Sequence, residues 1–525
     1  MRGHDNELID ILIMASQDKT TLAKENPHHL NSHDKHDRNL DHSIPLNKYI
    51  WSNSSESREL VNKLWNAGFT DLDPKPGAKG RRPFTPIKDQ LRVILLNLYK
   101  MWHDDPNLCL GVAMSKSSYR SPRVKKGINL SALVIDLINR MHDQGYIKWY
   151  KGSESARRRT RIWPSPKLIS HFEKAKIMVL DLFIHHGREC IILSQDSKSL
   201  DEDKKDSEGI AYDDNDRIIK MREELIAYNA LLTRTHIDIG DLAEPRVIHK
   251  DGSTLMVDQL NKFVRRIFYR ADWNLGGRFH GGWWQRLGSD YRSRIMINGE
   301  STVELDYSGM HVSLIYGLNQ ELPPTDPYTV PLIDETSSPA KQRKWIKSLV
   351  LQSLNATSIA STFQAFRSDQ ETGAPEKKFK NNKLSTLLEA FLDKNPIVKP
   401  FIGKDKGVEL MALDGRITAR VIKHFTSRNI PILTVHDSYI VPQQHSGALR
   451  AAMNEAAAEE LKGFTIDITQ DVIGIDHFNT FKAQEPTNAD LHIQLLERLP
   501  KIERSKEYKS RYEAFCYWLN LNNSL

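Results

Sequence analysis

RIMINGESTVELDYSGMHVSLIYGL (294–318) carries two patterns in succession. Its middle alternates, so Val303 to Leu305 reads as a strand that delivers Asp306 at its carboxyl end, and a helix is expected from near Ser308. An aspartate leaving a buried strand can bind a divalent ion through its side chain, with the next backbone carbonyl, that of Tyr307, close enough to assist. Working outward, GRITARVIKHFTSRNIPILTVHDSYIVP (415–442) predicts a helix, a break at Asn429 and Pro431, and a strand ILTV. A tight turn with His436, Asp437 and Ser438 and a second strand YIV follow. A lone aspartate at a strand end is usually a cap or a turn residue. Two on neighbouring strand ends, 131 positions apart, form the arrangement that two-metal phosphoryl transfer requires.

Between them lies QRKWIKSLVLQSLNATS (342–358), a predicted helix in which Arg343, Lys347, Leu351 and Asn355 recur every fourth position and share one face. Such a face can grip a triphosphate with its cations and support a base with Leu351. Taken singly, the pattern is that of an amphipathic helix with a basic end.

The chain has 525 residues, 39% of them hydrophobic, enough for two to four domains with a sizeable core. No apolar run approaches the roughly 20 residues of a membrane-spanning helix. The first twenty residues resemble neither a secretory signal nor an organelle presequence, so a cytoplasmic protein without membrane contact is expected. Cys109, Cys190 and Cys516 show no metal or disulfide spacing and are expected reduced and buried. The net charge of +7 is mild, so any argument for a polyanionic partner must come from local clustering.

Residues 1–45 are polar and histidine-rich (His4, His28, His29, His33, His36, His42) and predict a disordered tail. In 46–193, helical periodicity at 87–102 and 130–147 precedes alternating segments at 146–152 and 159–165. The loop between these segments holds Arg157, Arg158 and Arg159. Helices followed by a basic hairpin resemble a winged helix, in which one helix enters a nucleic-acid groove and the hairpin touches phosphates. Five cations within 151–161 against the single acid Glu154 favour nucleic-acid contact over a solvated turn. A charged linker is expected at 194–213, helices at 217–232 and, basic and amphipathic, at 258–270. A basic helical extension fills 483–525, either packing on the module before it or contacting nucleic acid, with packing favoured for its Phe515, Tyr517 and Trp518 end.

The ordered elements resemble family A DNA polymerases. DYSGMH (306–311) is similar to their motif A, RKWIKSLVLQSLNA (343–356) to motif B and VHDS (435–438) to motif C. GGR (276–278) resembles the element that contacts primer–template in these enzymes and in the related single-subunit phage and mitochondrial RNA polymerases. Asp326 sits where the family has an acidic residue ahead of the fingers helices. The resemblance spans about residues 215–482. It implies that Asp306, Asp437 and the Tyr307 carbonyl bind two Mg²⁺ ions, Mn²⁺ being an alternative. It implies further that Arg343 and Lys347 contact nucleotide phosphates, Lys347 also protonating the leaving pyrophosphate. Tyr307, His311, Leu351 and Asn355 would line the nucleotide site, and Arg278 and His436 would meet template and primer.

Several residues depart from the family pattern. His311 stands where the family has a glutamate that excludes a ribose 2′-hydroxyl, Asn355 and Ala356 replace an aromatic residue and a glycine, and HDS is closer to the RNA polymerases. The resulting expectation is an α+β chain: a right-hand polymerase module (214–482) with an antiparallel palm sheet and helical fingers, preceded by a mostly helical region with a winged-helix-like element. Its function would be template-dependent DNA synthesis from nucleoside triphosphates on a DNA primer–template. Proofreading would be absent, since no upstream carboxylate cluster marks an exonuclease, and a mobile element would be a natural setting. An RNA polymerase or primase and an inactive DNA-binding regulator are the alternatives.

Overall fold

The computed structural model describes residues 38–73, 83–119, 127–152, 158–185, 187–195, 209–249, 252–471 and 503–523. The chain divides into Met1–Leu40 and Asp41–Leu525, and every element below belongs to the second unit. Helices and sheets are mixed throughout it, as an α+β protein requires.

The N-terminal elements run as helix Ser55–Gly68, helix Ile87–Asp104, strand Cys109–Val112, helix Leu133–Asp143, strand Ile147–Tyr150, strand Thr160–Pro164 and helix Pro166–Ala175. Serine caps set the helix starts: Ser54 accepts from the Ser57 amide, and Ser165 from the Leu168 amide with Pro166 in the first turn. Thr160–Pro164 pairs antiparallel with both Cys109–Val112 and Ile147–Tyr150, so the hairpin carries its outer strand at a sheet edge. Ser43–Pro45, assigned to the tail by its polar neighbourhood, instead pairs parallel with Cys109–Val112. A three-residue strand needs little apolar content when its partner supplies the ladder. The rest of that tail to position 37, Arg157 at the hairpin tip and 196–208 of the charged linker lie outside the described residues.

Two sheets dominate the remainder. In one, strand Glu300–Tyr307 is central. It pairs antiparallel with Ser438–Pro442 along one edge, and with Ile295–Ile297 and then Ile468–Asp471 along the other. Alternation places Leu305 and Tyr307 on the face covered by helices Gly407–Thr426 and Ser446–Glu460. There the Tyr307 hydroxyl donates to the Met453 carbonyl at 2.6 Å, and the Tyr439 and Thr418 hydroxyls share a 2.9 Å bond. Glu304, Asp306 and Ser438 share the opposite face.

The second sheet corrects one expectation. Residues 258–270 are not a basic helix, because Val264–Phe268 is a strand between Gly276–Gly281 and Ile191–Leu193. Apolar residues at 260, 263, 264, 267 and 268 satisfy helical spacing, but Val264, Ile267 and Phe268 are β-formers and the decisive contacts are distant. The Asn229 side chain bonds both the amide (2.7 Å) and the carbonyl (2.9 Å) of Val264. The buried Arg266 side chain donates to the carbonyls of Gly277 (2.8 Å) and Gly415 (3.1 Å). Ile191–Leu193 thus joins a sheet with strands from beyond the 194–213 segment.

The C-terminal helix Lys506–Asn523 docks on strand Ile237–Ile239 through Arg511, whose Nε donates to Asp238 at 2.8 Å. Phe515 packs against His236, with ring centroids 5.2 Å apart, whereas Tyr517, expected to pack, is exposed. Of the cysteines, Cys109 and Cys190 are buried, but Cys516 is only half-buried on this helix.

Helix Gly407–Thr426 crosses strand Gly276–Gly281 so closely that a Cβ on Gly415 would lie 2.3 Å from the Gly277 carbonyl oxygen. Backbone cannot yield as a flexible side chain does. Gly415→Ala is therefore expected to destabilise the fold by about 1–3 kcal/mol, read as a lower urea midpoint with an unchanged slope.

Candidate functional site

Strand register brings the backbones of the two sequence-predicted aspartates side by side. Asp306 lies directly opposite Ser438, whose neighbour is Asp437, and the Tyr307 amide donates to the Asp437 carbonyl at 3.4 Å. Asp437 sits in a two-residue turn between strands Leu433–Val435 and Ser438–Pro442, which pair from Val435 opposite Ser438 onward. Such tight hairpins need positive φ, and His436 supplies it at 55° although it is not glycine. Both aspartates are half-buried and His436 is exposed. Asp306 lies within the strand, one residue from its end, and the following helix begins at Met310 rather than near Ser308, after Gly309 in the left-handed region.

Near Asp437 is a polar chain that joins three elements. Arg278, on strand Gly276–Gly281, pairs through Nε with the fully buried Asp414 of helix Gly407–Thr426, and its NH2 lies 3.1 Å from Nε2 of His311 on helix Met310–Asn319. Arginine has no acceptor, so His311 receives this hydrogen bond on an unprotonated Nε2. Its imidazole is accordingly neutral: burial first, then the Arg278 charge, pushes its pKa down to about 3. Burial raises the Asp414 carboxyl to about 6; Arg278 pulls it down and Asp437 pushes it up. Burial works against charge on Arg278, and Asp414 and Asp437 more than reverse it, so the guanidinium titrates above its ordinary value. Asp437 is therefore near enough to act on this chain electrostatically.

Helix Pro339–Asn355, capped by Ser338, presents the predicted cationic face. Arg343 is bound by both oxygens of Asp326, at 2.7 and 3.2 Å, and its guanidinium lies 5.7 Å from the Tyr328 ring centroid. Tyr328 in turn approaches Gly309, where a Cβ would stand 3.3 Å from its hydroxyl, so Arg343 is linked by packing to the loop after Asp306. Lys347 and Leu351 are exposed, and among the described residues no hydrogen bond or ion pair joins either to Asp306 or Asp437. The Asn355 amide donates to the Leu351 carbonyl at 2.8 Å, and its side chain packs on Gly407. The Tyr307 side chain is buried and bonded to Met453, which leaves its backbone for any contact with nucleotide or metal.

The basic hairpin is built on a different sheet. Arg158 pairs with Asp41 at 3.0 Å, Arg159 is exposed, and Lys151 lies over Trp149, which stacks on His142 with centroids 4.2 Å apart. The helix before it carries exposed Asp136 and Asp143, while Arg140 is held by Asp71 and the Gly68 carbonyl. The cationic surface is thus on the hairpin and not on that helix.

Sequence reasoning missed Asp414 and Glu304. Asp414 lies in LMALDG, where an acid among core positions is the only signal; Glu304 has the same strand phase as Asp306. Among the described residues no cluster of three or more His, Cys, Asp or Glu side chains is arranged to hold a metal ion.

His236, like His311, is buried, and burial followed by Lys262 and Arg511 pushes its pKa to about 3. An unfolded imidazole titrates near 6.5, so this stability is complete above that pH and is lost as pH falls toward 3, at a slope approaching about 1.4 kcal/mol per pH unit for each group. Asp414, its pKa raised, binds a proton earlier in the folded state and offsets part of the loss below about pH 6. Urea titrations at several pH values should show this fall, shallower in a His236→Gln/His311→Gln variant.

No family model matches the chain, and no curated protein matches it. Among solved structures it is weakly similar to the POL domain of Pol1 from M. smegmatis in complex with DNA primer–template and dNTP, at 11% identity and a TM-score of 0.28. That match covers 48% of this chain and 51% of the other, so the chain spans about half the length of the structure it resembles.

Proposed function

We propose that the chain is a template-dependent nucleic-acid polymerase, with DNA the favoured product, in which Asp306 and Asp437 hold two Mg²⁺ ions, or Mn²⁺ in their place. The observation that carries this reading is the strand register that sets Asp306 opposite Ser438 and hence beside Asp437. Two carboxylates and the Tyr307 carbonyl form an all-oxygen donor set, which suits a hard cation that takes its remaining ligands from water and substrate phosphates. When bound, such ions activate a primer 3′-hydroxyl and neutralise the triphosphate and its leaving group.

The chain's own residues supply the rest. Arg343, oriented by Asp326, and Lys347 grip the triphosphate, and Lys347 donates a proton to the departing pyrophosphate. Leu351 supports the base, His311 faces the sugar, and Arg278 and His436 meet the primer–template. The sheet with Asp306 serves as palm, the helices between 339 and 394 as fingers, and helix Asp216–Thr233 as part of a thumb. The N-terminal order of helix, strand, helix and hairpin favours a winged-helix element that binds DNA phosphates through its hairpin. Synthesis without proofreading completes the reading.

A primed single-stranded template with Mg²⁺ and separate dNTP and rNTP pools tests this. Extension with dNTPs is expected, and Asp306→Ala and Asp437→Ala should each lower it by at least about 10³-fold with the fold intact. Unchanged activity of both variants would instead fit a DNA-binding regulator. One observation favours RNA as product: the neutral His311 places no carboxylate against a 2′-hydroxyl, and extension by rNTPs alone would decide for it. For the hairpin, Arg158→Ala/Arg159→Ala should weaken DNA binding regardless of sequence and flatten its log–log salt dependence by about 1 to 2.

A further inference from the structure

Glu304 is a buried carboxylate two residues before Asp306, so it shares that residue's strand face. Both its oxygens are engaged. Arg292 Nε lies 2.9 Å from Oε2 and 3.2 Å from Oε1, and the Ser438 hydroxyl donates to Oε1 at 2.5 Å. Arg292 is itself fixed, because its NH1 donates to the Leu287 carbonyl at 2.9 Å. The Ser438 Oγ also lies 3.0 Å from the Val435 carbonyl and so spans the base of the turn that holds Asp437.

That turn needs restraint. His436 is held at a φ of 55°, which costs a residue with a Cβ about 1 kcal/mol or more, and a two-residue loop has no slack to share it. Ser438 is also the residue opposite Asp306. A side chain that grips Ser438 from the Asp306 strand therefore fixes the two aspartates relative to each other.

We infer that Glu304 is a positioning residue of this site: clamped by Arg292, it holds Ser438 and through it the Asp437 turn in register with Asp306. This rests on the reading of Asp306 and Asp437 as the metal-holding pair. Glu304 is assigned position and not ligation, because Arg292 pairs with its carboxylate and the Ser438 hydroxyl donates to its Oε1. Its effect is transmitted through a hydroxyl, as residues outside the ligand set orient ligands in other metal sites.

The test is steady-state primer extension by the full chain with Mg²⁺ titrated, on Glu304→Ala, Glu304→Gln, Ser438→Ala and the Glu304→Ala/Ser438→Ala double variant, with Asp437→Ala as control. Glu304→Ala and Ser438→Ala are each expected to lower kcat about 10- to 100-fold and to raise the Mg²⁺ midpoint about threefold or more. The nucleotide KM should stay within about twofold. The double variant should be no slower than the slower single, because the two residues act as one unit, and Glu304→Gln, which keeps an acceptor for Ser438, should recover about fivefold over the alanine. Wild-type kcat and Mg²⁺ dependence in Ser438→Ala, or single effects that multiply in the double variant, would overturn the inference. Ser438→Ala removes only a hydroxyl and decides the matter if Glu304→Ala does not fold. Should wild-type protein extend no primer, the metal-pair reading itself fails; extension lost in Asp437→Ala but intact in Glu304→Ala rejects Glu304 alone.

Discussion

The antiparallel ladder between Glu300–Tyr307 and Ser438–Pro442 is the constraint on which the site depends. A strand pair has a period of two, so a slip of one residue would turn Asp306 and Glu304 toward the covering helices and send Leu305 and Tyr307 outward. Burial opposes that slip. Leu305, Tyr307 and Tyr439 are almost fully buried, and the two tyrosine hydroxyls are satisfied by Met453 and Thr418. Losing one such side chain from the core costs about 1.5–3 kcal/mol, before the cost of unsatisfied hydroxyls, so the face behind the carboxylates fixes the face that presents them.

A second constraint is electrostatic. Arg278 and Asp414 join the glycine-rich strand to helix Gly407–Thr426, and the close approach of Gly415 to Gly277 makes room for that pair. Removing either partner would strand a buried charge, a loss of about 3–5 kcal/mol, whereas the intact pair contributes mainly position. The same guanidinium fixes the His311 ring by donating to it. One cation therefore orients both a buried acid and a neutral imidazole within reach of the Asp437 field. Asp306 on its strand, and Arg278, His311 and Asp414 on a strand and two helices, are held more rigidly than loop residues would be.

The helix that bears Arg343 and Lys347 meets this core differently. Its Trp345, Ile346, Leu349 and Val350 face are buried, and its cationic face is left open, with Arg343 steadied by Asp326. Tyr328 links this helix by packing to Gly309, in the loop after Asp306. Farther away, helix Leu133–Asp143 exposes the acids Asp136 and Asp143, whereas Lys151 and Arg159 are exposed on the adjoining hairpin.

What the sequence by itself determined about this protein is local in origin. The alternation in VELD, the Pro431 and HDS punctuation, and the four-residue steps from Arg343 to Asn355 each involve neighbours within a few positions, and those elements form near their expected bounds. The backbone adjacency of Asp306 and Asp437 was legible because one lies a residue from the end of its strand and the other in a tight turn between two strands. Tertiary structure alone decided the rest. Val264–Phe268 is a strand because Asn229, Ile191–Leu193 and Gly276–Gly281 complete its ladder. Asp414 and Glu304 matter because Arg278, Arg292 and Ser438 reach them, up to 136 positions away in sequence. Periodicity reports which face of a segment is apolar, but a buried charge or an ambiguous strand takes its role from a distant partner, and only the folded chain brings that partner into contact.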